Sequence, residues 1–298
     1  MTGRRSTLRL ATIIGVVLAM LMFVAACGDD DEQQNGGQAG QTQQTAPAGT
    51  SVARLQEEGE IAIGVKFDVP PFGFKNPQSG EVEGFDVEIG KAIADEMGVE
   101  PRFVEAISDN RIPFLERGTV DLILSTMTIN AERDQEIDFS EPYYIARGRI
   151  LVPRGSDIRG VEDLNGKAVC TALGSTYEET LREQAPQAER RLVDSYSECF
   201  ELIQSGAVDA VSTDDVILTG MIIQDDSLEL VGGEELTIEP YGAGIREGDA
   251  ALQRFVNGVI ADMKADGRWA DRYQEWVGQY TDERQEPPTM TLKEALAL

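Results

Sequence analysis

Short β-rich apolar runs alternate with helical stripes from Ile61 to Met263, and after Tyr144 the alternation starts afresh; few folds are open to a chain patterned this way. The β-type runs are Ile61 to Phe67, Val120 to Ser125, Arg149 to Val152, Ala168 to Ala172, Leu192 to Asp194, Val208 to Ser212 and Leu228 to Val231. Between them, Phe85, Ile89, Ala92, Ile93 and Met97 fall on one helix face, and Leu252, Phe255, Val256, Val259, Ile260 and Met263 on another. This pattern predicts an α/β architecture with mainly parallel sheets. The roughly 230 residues from Val52 to Tyr280 suffice for a bilobed body but not for two large independent domains. The restart predicts a second lobe inserted into the first: 51–145 plus 243–280 form lobe 1 and 146–242 form lobe 2. The C-terminal helical region then returns to lobe 1, with Trp269, Tyr273 and Trp276 as packing anchors. The tail, 281–298, is polar at first, carries Pro287-Pro288, and is expected to lie along the surface or fray.

The N-terminus adds a constraint on location. Arg4, Arg5 and Arg9 precede an acid-free apolar run from Leu10 to Ala26, which ends at Val24-Ala25-Ala26-Cys27. This predicts an export signal over 1–26 with a small-residue cleavage site; an uncleaved single-pass anchor is the alternative reading of the same run. Residues 27–50 are rich in Asp, Gln, Gly, Thr and Ala, have little to bury, and read as a flexible tether. The chain carries 53 acidic and 26 basic residues, a net charge of −27, and three of the bases lie in the leader. That balance excludes general nucleic-acid affinity and favours repulsion from anionic lipid. Cys170 and Cys199, an even pair in an exported chain, are expected to form a disulfide.

The chain has no histidine, no phosphate-binding glycine loop and no cysteine cluster at metal-ligand spacing, so neither a hydrolase triad nor a zinc enzyme is expected and no cofactor is implied. Arg111, after Ser108-Asp109-Asn110, and Arg133, after Asn130, each fall in the first turn of a predicted helix. A cation there opposes the helix dipole unless an anion lies between guanidinium and amides; pairing with Asp109 and Glu132 is the simpler alternative. Thr126 and Thr128 project from one face of a strand end and have the chemistry to donate to a carboxylate held by Arg133, though ordinary strand threonines look the same. Of Asp214-Asp215, one is expected to cap the following helix and the other has the chemistry to accept an ammonium group, with double capping or a solvated pair as the simpler alternative. Gly174-Ser175-Thr176 precedes a helix, and Ser175 with Glu178 matches a capping box.

Several of these segments stand in a known order. Gly64 to Phe74 (GVKFDVPPFGF), Gly84-Phe85-Asp86-Val87, Asn110-Arg111-Ile112-Pro113, Gly118-Thr119-Val120-Asp121, Thr126-Met127-Thr128-Ile129, Glu132-Arg133, Phe139-Ser140 with Pro142-Tyr143-Tyr144, Gly174-Ser175-Thr176 and Ser205-Gly206 with Val208-Asp209-Ala210 resemble the polar-amino-acid solute-binding family of ABC importers. Within it the chain looks closest to glutamate-binding lipoproteins of actinobacterial type. The resemblance implies a bilobed, type II periplasmic-binding-protein-like fold, with two strands crossing near Tyr144 to Arg147 and Pro240 to Ala243. It implies that Arg133, with Thr126 and Thr128, clamps an α-carboxylate and that Asp214 takes the α-ammonium; Ser175 and Thr176 belong to the same cleft, and Tyr196 is near it. Ser108 and Arg111 match ligand-touching positions in acidic-amino-acid binders, and Lys66 a basic one. Lys66 and Val69 depart from relatives that take glutamine or histidine, which carry an aspartate and an aromatic there. Glutamate or aspartate is therefore the expected ligand, with glutamine or another polar amino acid as the alternative and a lyase on the same fold as a remoter one. Cys27 matches the acylated cysteine of a lipoprotein box. The implied protein is a monomer outside the cytoplasm, held to the outer face of the cell membrane by lipid, with a permease as its partner.

Overall fold

The computed structural model describes residues 46–233, 235–281 and 285–298. The expected export signal, the lipidation site Cys27 and the tether up to residue 45 lie outside the described residues. Residues 46–50 already belong to the folded body: the Ala46 amide donates to Gln56 Oε1 at 3.1 Å, and Thr50 caps α1 (Ser51–Glu58) by accepting from the Ala53 amide.

The first half contains β1 (Glu60–Val65), a small antiparallel sheet of β2 (Asp68–Val69), β3 (Gly73–Lys75) and β4 (Val82–Glu83), then α2 (Phe85–Met97), β5 (Glu100–Glu105), α3 (Arg111–Glu116), β6 (Leu122–Ile123) and β7 (Ile137–Phe139). The second half contains β8 (Tyr144–Pro153), β9 (Ala168–Ala172), α4 (Tyr177–Gln184), β10 (Glu189–Val193), α5 (Tyr196–Gln204), β11 (Ala210–Asp214), α6 (Asp215–Gln224), β12 (Leu228–Leu230) and β13 (Ile238–Tyr241). The chain then returns through β14 (Gly244–Arg246) to α7 (Ala250–Asp266), α8 (Arg268–Tyr273), α9 (Gln279–Thr281) and α10 (Leu292–Ala295).

Two main sheets result, ordered β5-β1-β6-β14-β7 and β10-β9-β11-β8-β12, with β13 paired to β8. Their centres are parallel, β5-β1-β6 in one and β10-β9-β11 in the other. The expectation of mainly parallel sheets needs correcting at the margins, where β14 and β7, and β8, β12 and β13, run antiparallel. The cause is the connection between halves: β8 and β14, which carry the chain out along the crossing and back into the first sheet, run against the parallel core, and β7 and β12 pair antiparallel because their partners are these two strands. The crossing pair is Tyr144–Arg147 of β8 against Ile238–Tyr241 of β13, slightly earlier on the return strand than expected.

Aromatic rings lock the base of this crossing. Phe72, Phe85, Tyr144 and Tyr241 make mutual edge or tilted contacts, and Trp269 stacks on Tyr273 at 5.3 Å. The indole of Trp269 donates to the Tyr143 carbonyl at 2.7 Å, which ties the returning helices to the crossing strand. Cys170 and Cys199 form the expected disulfide, joining β9 to α5 in the second half. The tail is more ordered than its polarity suggests. Thr291 and Glu294 form a capping box on α10, Lys264 donates to the Pro288 carbonyl, and Ala295 is buried among residues of the first half.

The halves also touch away from the crossing strands, through the segment from Asp68 to Pro70. Asp68 accepts from the Ser197 amide at 3.1 Å, and Gly220 of α6 packs so closely on the Pro70 carbonyl that a Cβ there would stand 1.8 Å from the oxygen. The helix cannot give way without moving the second sheet behind it. Gly220→Ala is therefore expected to hold the halves apart, seen as a larger radius of gyration in small-angle scattering with an unchanged far-ultraviolet circular dichroism spectrum.

Candidate functional site

The parallel strands of both sheets end toward the space between the halves, the place where open α/β sheets hold ligands. Lys66 follows β1, Ser108 and Arg111 follow β5, and Thr126, Thr128 and Arg133 follow β6. From the other side, Ser175 and Thr176 follow β9, Tyr196 opens the helix after β10, and Asp214 ends β11. All of these except Lys66 line one small cavity, together with Tyr177 and Ile217, which the sequence reading missed. The cavity holds about 10 Å³, about enough for one water. Thr128, Arg133, Ser175 and Thr176 also line a groove of about 1450 Å³ alongside it. The cavity as it stands is therefore too small for a molecule the size of an amino acid.

The cations are held by carbonyl oxygens. Arg111 donates to Ser108 O at 3.0 Å, Ser125 O at 3.0 Å and Thr126 O at 3.1 Å. Arg133 donates to Thr128 O at 2.8 Å. Both then reach across to the same oxygen of the second half, Gly174 O, at 3.2 and 3.1 Å. Gly174 has φ 72°, and a Cβ on it would stand 2.7 Å from Asp109 Cα, so only glycine brings that carbonyl between the guanidinium groups. Lys66, 1% exposed, sits behind the cavity wall, donating to Ser108 Oγ at 2.7 Å with its ammonium 5.6 Å from the centre of the Tyr196 ring. Among the described residues, none of these three cations has a carboxylate within ion-pair distance. Burial, with Arg111 adding to it, pushes Lys66 down to about 7; burial, with Arg133 adding to it, pushes Arg111 down to about 9.

Asp214 faces them from the second half. It occupies the N-cap position of α6 but makes no cap bond there; it accepts instead from the Tyr177 hydroxyl at 2.9 Å. Burial, reinforced by the charge of Glu239, raises its pKa to about 8. Asp215 takes the local role, accepting from the Val216 and Arg147 amides away from the cavity. Three expectations fail in detail. Thr126 does not share the face of an extended strand end with Thr128: β6 ends at Ile123, and Thr126 turns to φ 44°. Arg133 begins a single 3₁₀ turn, Arg133–Gln135, rather than an α-helix: Asn130 Oδ1 accepts the Arg133 amide as a cap would, but the chain runs into β7 at Ile137 before an α-helical turn is complete. The Ser175/Glu178 capping box does not form: Thr176 is the N-cap residue of α4 and makes no side-chain cap bond, while Ser175 Oγ lies 3.2 Å from Thr171 Oγ1.

Two acids that the sequence reading left out of the site shape it. Asp86 is fully buried and accepts from the Tyr143 hydroxyl at 2.7 Å and from the Thr126 amide at 2.8 Å. Thr126 has φ 44°, a left-handed conformation costing a β-branched residue about 1–3 kcal/mol, and the Asp86 bond holds it there. Glu239 of β13, 2% exposed, accepts from Thr128 Oγ1 at 2.6 Å and Thr176 Oγ1 at 3.0 Å. Neither acid carries a local pattern that signals burial. Groups of three or more potential metal ligands are absent among the described residues.

The sequence pattern of the bacterial extracellular solute-binding proteins, family 3, matches residues 61–279. The ABC transporter glutamine-binding protein GlnH of Bacillus subtilis is 39% identical over 266 residues, covering 88% of this chain and 94% of that protein. The glutamate-binding protein GluB of Corynebacterium glutamicum is 29% identical over 293 residues, 94% of each. Among solved structures, the ancestral amino acid-binding protein AncCDT-1, a precursor of cyclohexadienyl dehydratase, superposes with a TM-score of 0.71 at 35% identity, covering 76% of this chain and 99% of that one.

The raised pKa of Asp214 carries a stability consequence. The folded chain retains a proton that the unfolded chain releases near pH 3.8, so this stabilisation is complete below that pH and is lost as the pH rises through about 8. The protein without ligand is expected to lose thermal stability across that window, and Asp214→Asn to lose less of it. Thermal unfolding of both proteins at about pH 5 and about pH 8 measures the difference, which isolates Asp214 from Asp86, shifted the same way to about 7.

Proposed function

Because the chain belongs to family 3 of the bacterial extracellular solute-binding proteins, we propose that its cavity takes one zwitterionic amino acid, glutamate, and that the closed, loaded form delivers it to the permease of an ABC importer. One observation carries this reading: two buried guanidinium groups, Arg111 and Arg133, backed by Lys66 behind the wall and without an ion-paired carboxylate among the described residues, face a single cavity whose far wall presents Asp214. Arg133 and Arg111 supply charge-assisted donors for a carboxylate, and Asp214 an acceptor for an ammonium. A ligand bridging them contacts both halves at once, and that differential contact is what favours closure.

The side chain is read by charge. A second carboxylate near Lys66 and Arg111 relieves cations that are otherwise desolvated without compensation. One such pair at about 4 Å is worth roughly 4 kcal/mol at an effective dielectric of about 20, before desolvation is subtracted. A net preference of about 1–3 kcal/mol for glutamate over glutamine follows, on the order of 10- to 100-fold. Glutamine is the second reading. It is favoured by the higher identity to a relative named for glutamine, 39% against 29% for one named for glutamate. It is favoured too by Lys66 being pushed down to about 7, where a neutral amine suits an amide. Binding without chemistry is the simpler reading of both, supported by relatives that are named for binding and transport.

The leader and Cys27 fit the same role, a monomeric binding protein exported and then tethered by lipid to the outer face of the membrane. A single acyl chain binds a membrane only marginally, so stable attachment requires more than one on that cysteine.

Titration calorimetry is expected to give glutamate binding at least tenfold tighter than glutamine, with each ligand recovered unchanged; equal affinities would remove the charge argument, and altered ligand the transport one. Arg133→Ala should weaken either ligand by at least about a hundredfold, since a ligand carboxylate is then left buried and unpaired. Cys27→Ala should move the protein from the membrane fraction to the medium in fractionated cells.

A further inference from the structure

Thr128 and Thr176 face the cavity from opposite halves, and each has one hydroxyl proton to give. Both give it to the same atom, Oε2 of Glu239, at 2.6 and 3.0 Å. Backbone pairing keeps that carboxylate in place. Glu239 pairs with Ala146 on the crossing strands, Thr128 bridges to Tyr241 two residues along, and the Ile129 amide donates to Pro240 O at 2.8 Å. With the protons committed, only lone pairs of the two hydroxyls remain for the cavity. Reversing either hydroxyl would leave a buried carboxylate short of a donor.

We infer that Glu239 is a specificity-determining residue of the amino-acid site: by taking the Thr128 and Thr176 protons it fixes both hydroxyls as acceptors, so that they read a ligand N–H and turn away a carboxylate oxygen. This rests on the reading of the cavity as an amino-acid site and divides its labour differently from the sequence expectation. Thr128 does not donate to the carboxylate, which is left to the guanidinium groups of Arg111 and Arg133. Thr128 instead joins Asp214 in accepting from the ammonium. The charge of Glu239 acts on both sides of this division, since it is felt by Arg133 and by Asp214. A second buried carboxylate near the ammonium position deepens the negative potential there and penalises a ligand that lacks the positive group.

The test compares an amino acid with its des-amino counterpart, glutamate with glutarate and glutamine with glutaramate, in wild type and in Glu239→Gln, which keeps the side-chain shape but removes the charge and replaces the carboxylate with a weaker acceptor that no longer commits both hydroxyl protons. By calorimetry, the ratio of des-amino to amino Kd is expected to fall by about tenfold in Glu239→Gln, because the amino acid binds more weakly while its counterpart binds as well or better. A purely structural Glu239 would weaken both ligands by the same factor and leave the ratio unchanged, which overturns the inference. Thr128→Val, which keeps the backbone bridge to Tyr241 and the side-chain shape, carries the test independently should Glu239→Gln not fold. Loss of discrimination in it supports the acceptor role and unchanged discrimination overturns it. A wild type that binds no amino acid overturns the functional reading and this inference with it, whereas a wild type that binds, with an unchanged ratio in the variants, overturns only the role of Glu239.

Discussion

Two guanidinium groups from one half of the molecule end on one carbonyl oxygen of the other, Gly174 O. Carbonyl oxygens can satisfy every donor of an arginine and still leave its charge uncancelled, because a dipole is not a counter-ion. The parallel strands β1, β5 and β6 bring such oxygens together where they end, at Ser108, Ser125, Thr126 and Thr128. The result is a wall whose guanidinium groups are held by carbonyl dipoles and whose charge no ion pair cancels among the described residues. Burial pushes down the pKa of all three of its cations, which expresses the same fact as a proton affinity.

Around that wall the chain carries a net charge of −27. The two are compatible because exposed charges are screened beyond about 8 Å at physiological ionic strength, whereas groups enclosed between the halves are not. A distant acidic surface therefore does little to an anion already in the cavity. Local carboxylates matter far more, and there the molecule is economical: Asp214 and Glu239 face the site, while Asp68 is turned to the Ser197 amide and Asp215 to the Arg147 and Val216 amides. Lys66 is thereby left with a hydroxyl and an aromatic face instead of an ion pair.

How far the sequence could be read depended on what each segment buries. Ala168–Ala172 was legible to the residue, and the stripe from Phe85 to Met97 coincides with α2, because both bury apolar side chains at the period of their element. The strand β5, Glu100–Glu105, escaped because it is an edge strand with charged residues and a proline, features that suit an edge and erase the apolar signal. The tail escaped because its order comes from Glu141, Lys264 and an apolar seat distant in sequence. In the site, Arg111, Arg133, Thr126, Thr128 and Asp214 stood out as polar residues at element ends. Asp86 and Glu239 did not: one lies in a helix's first turn and the other on a return strand, and only the assembled halves bury them.

Thr126 shows what the arrangement costs. A glycine would adopt φ 44° without strain, yet it would leave the cavity one side chain short. Threonine keeps its side chain on the cavity and its carbonyl on Arg111, at about 1–3 kcal/mol of backbone strain. The restoring bond comes from Asp86, whose own burial raises its pKa to about 7, so the support is itself a source of instability above neutral pH. Neither element makes sense as a contribution to folding. Together they keep a carbonyl and a side chain of one residue aimed at the same small space, a geometry that an unstrained turn with a solvated acid would not hold.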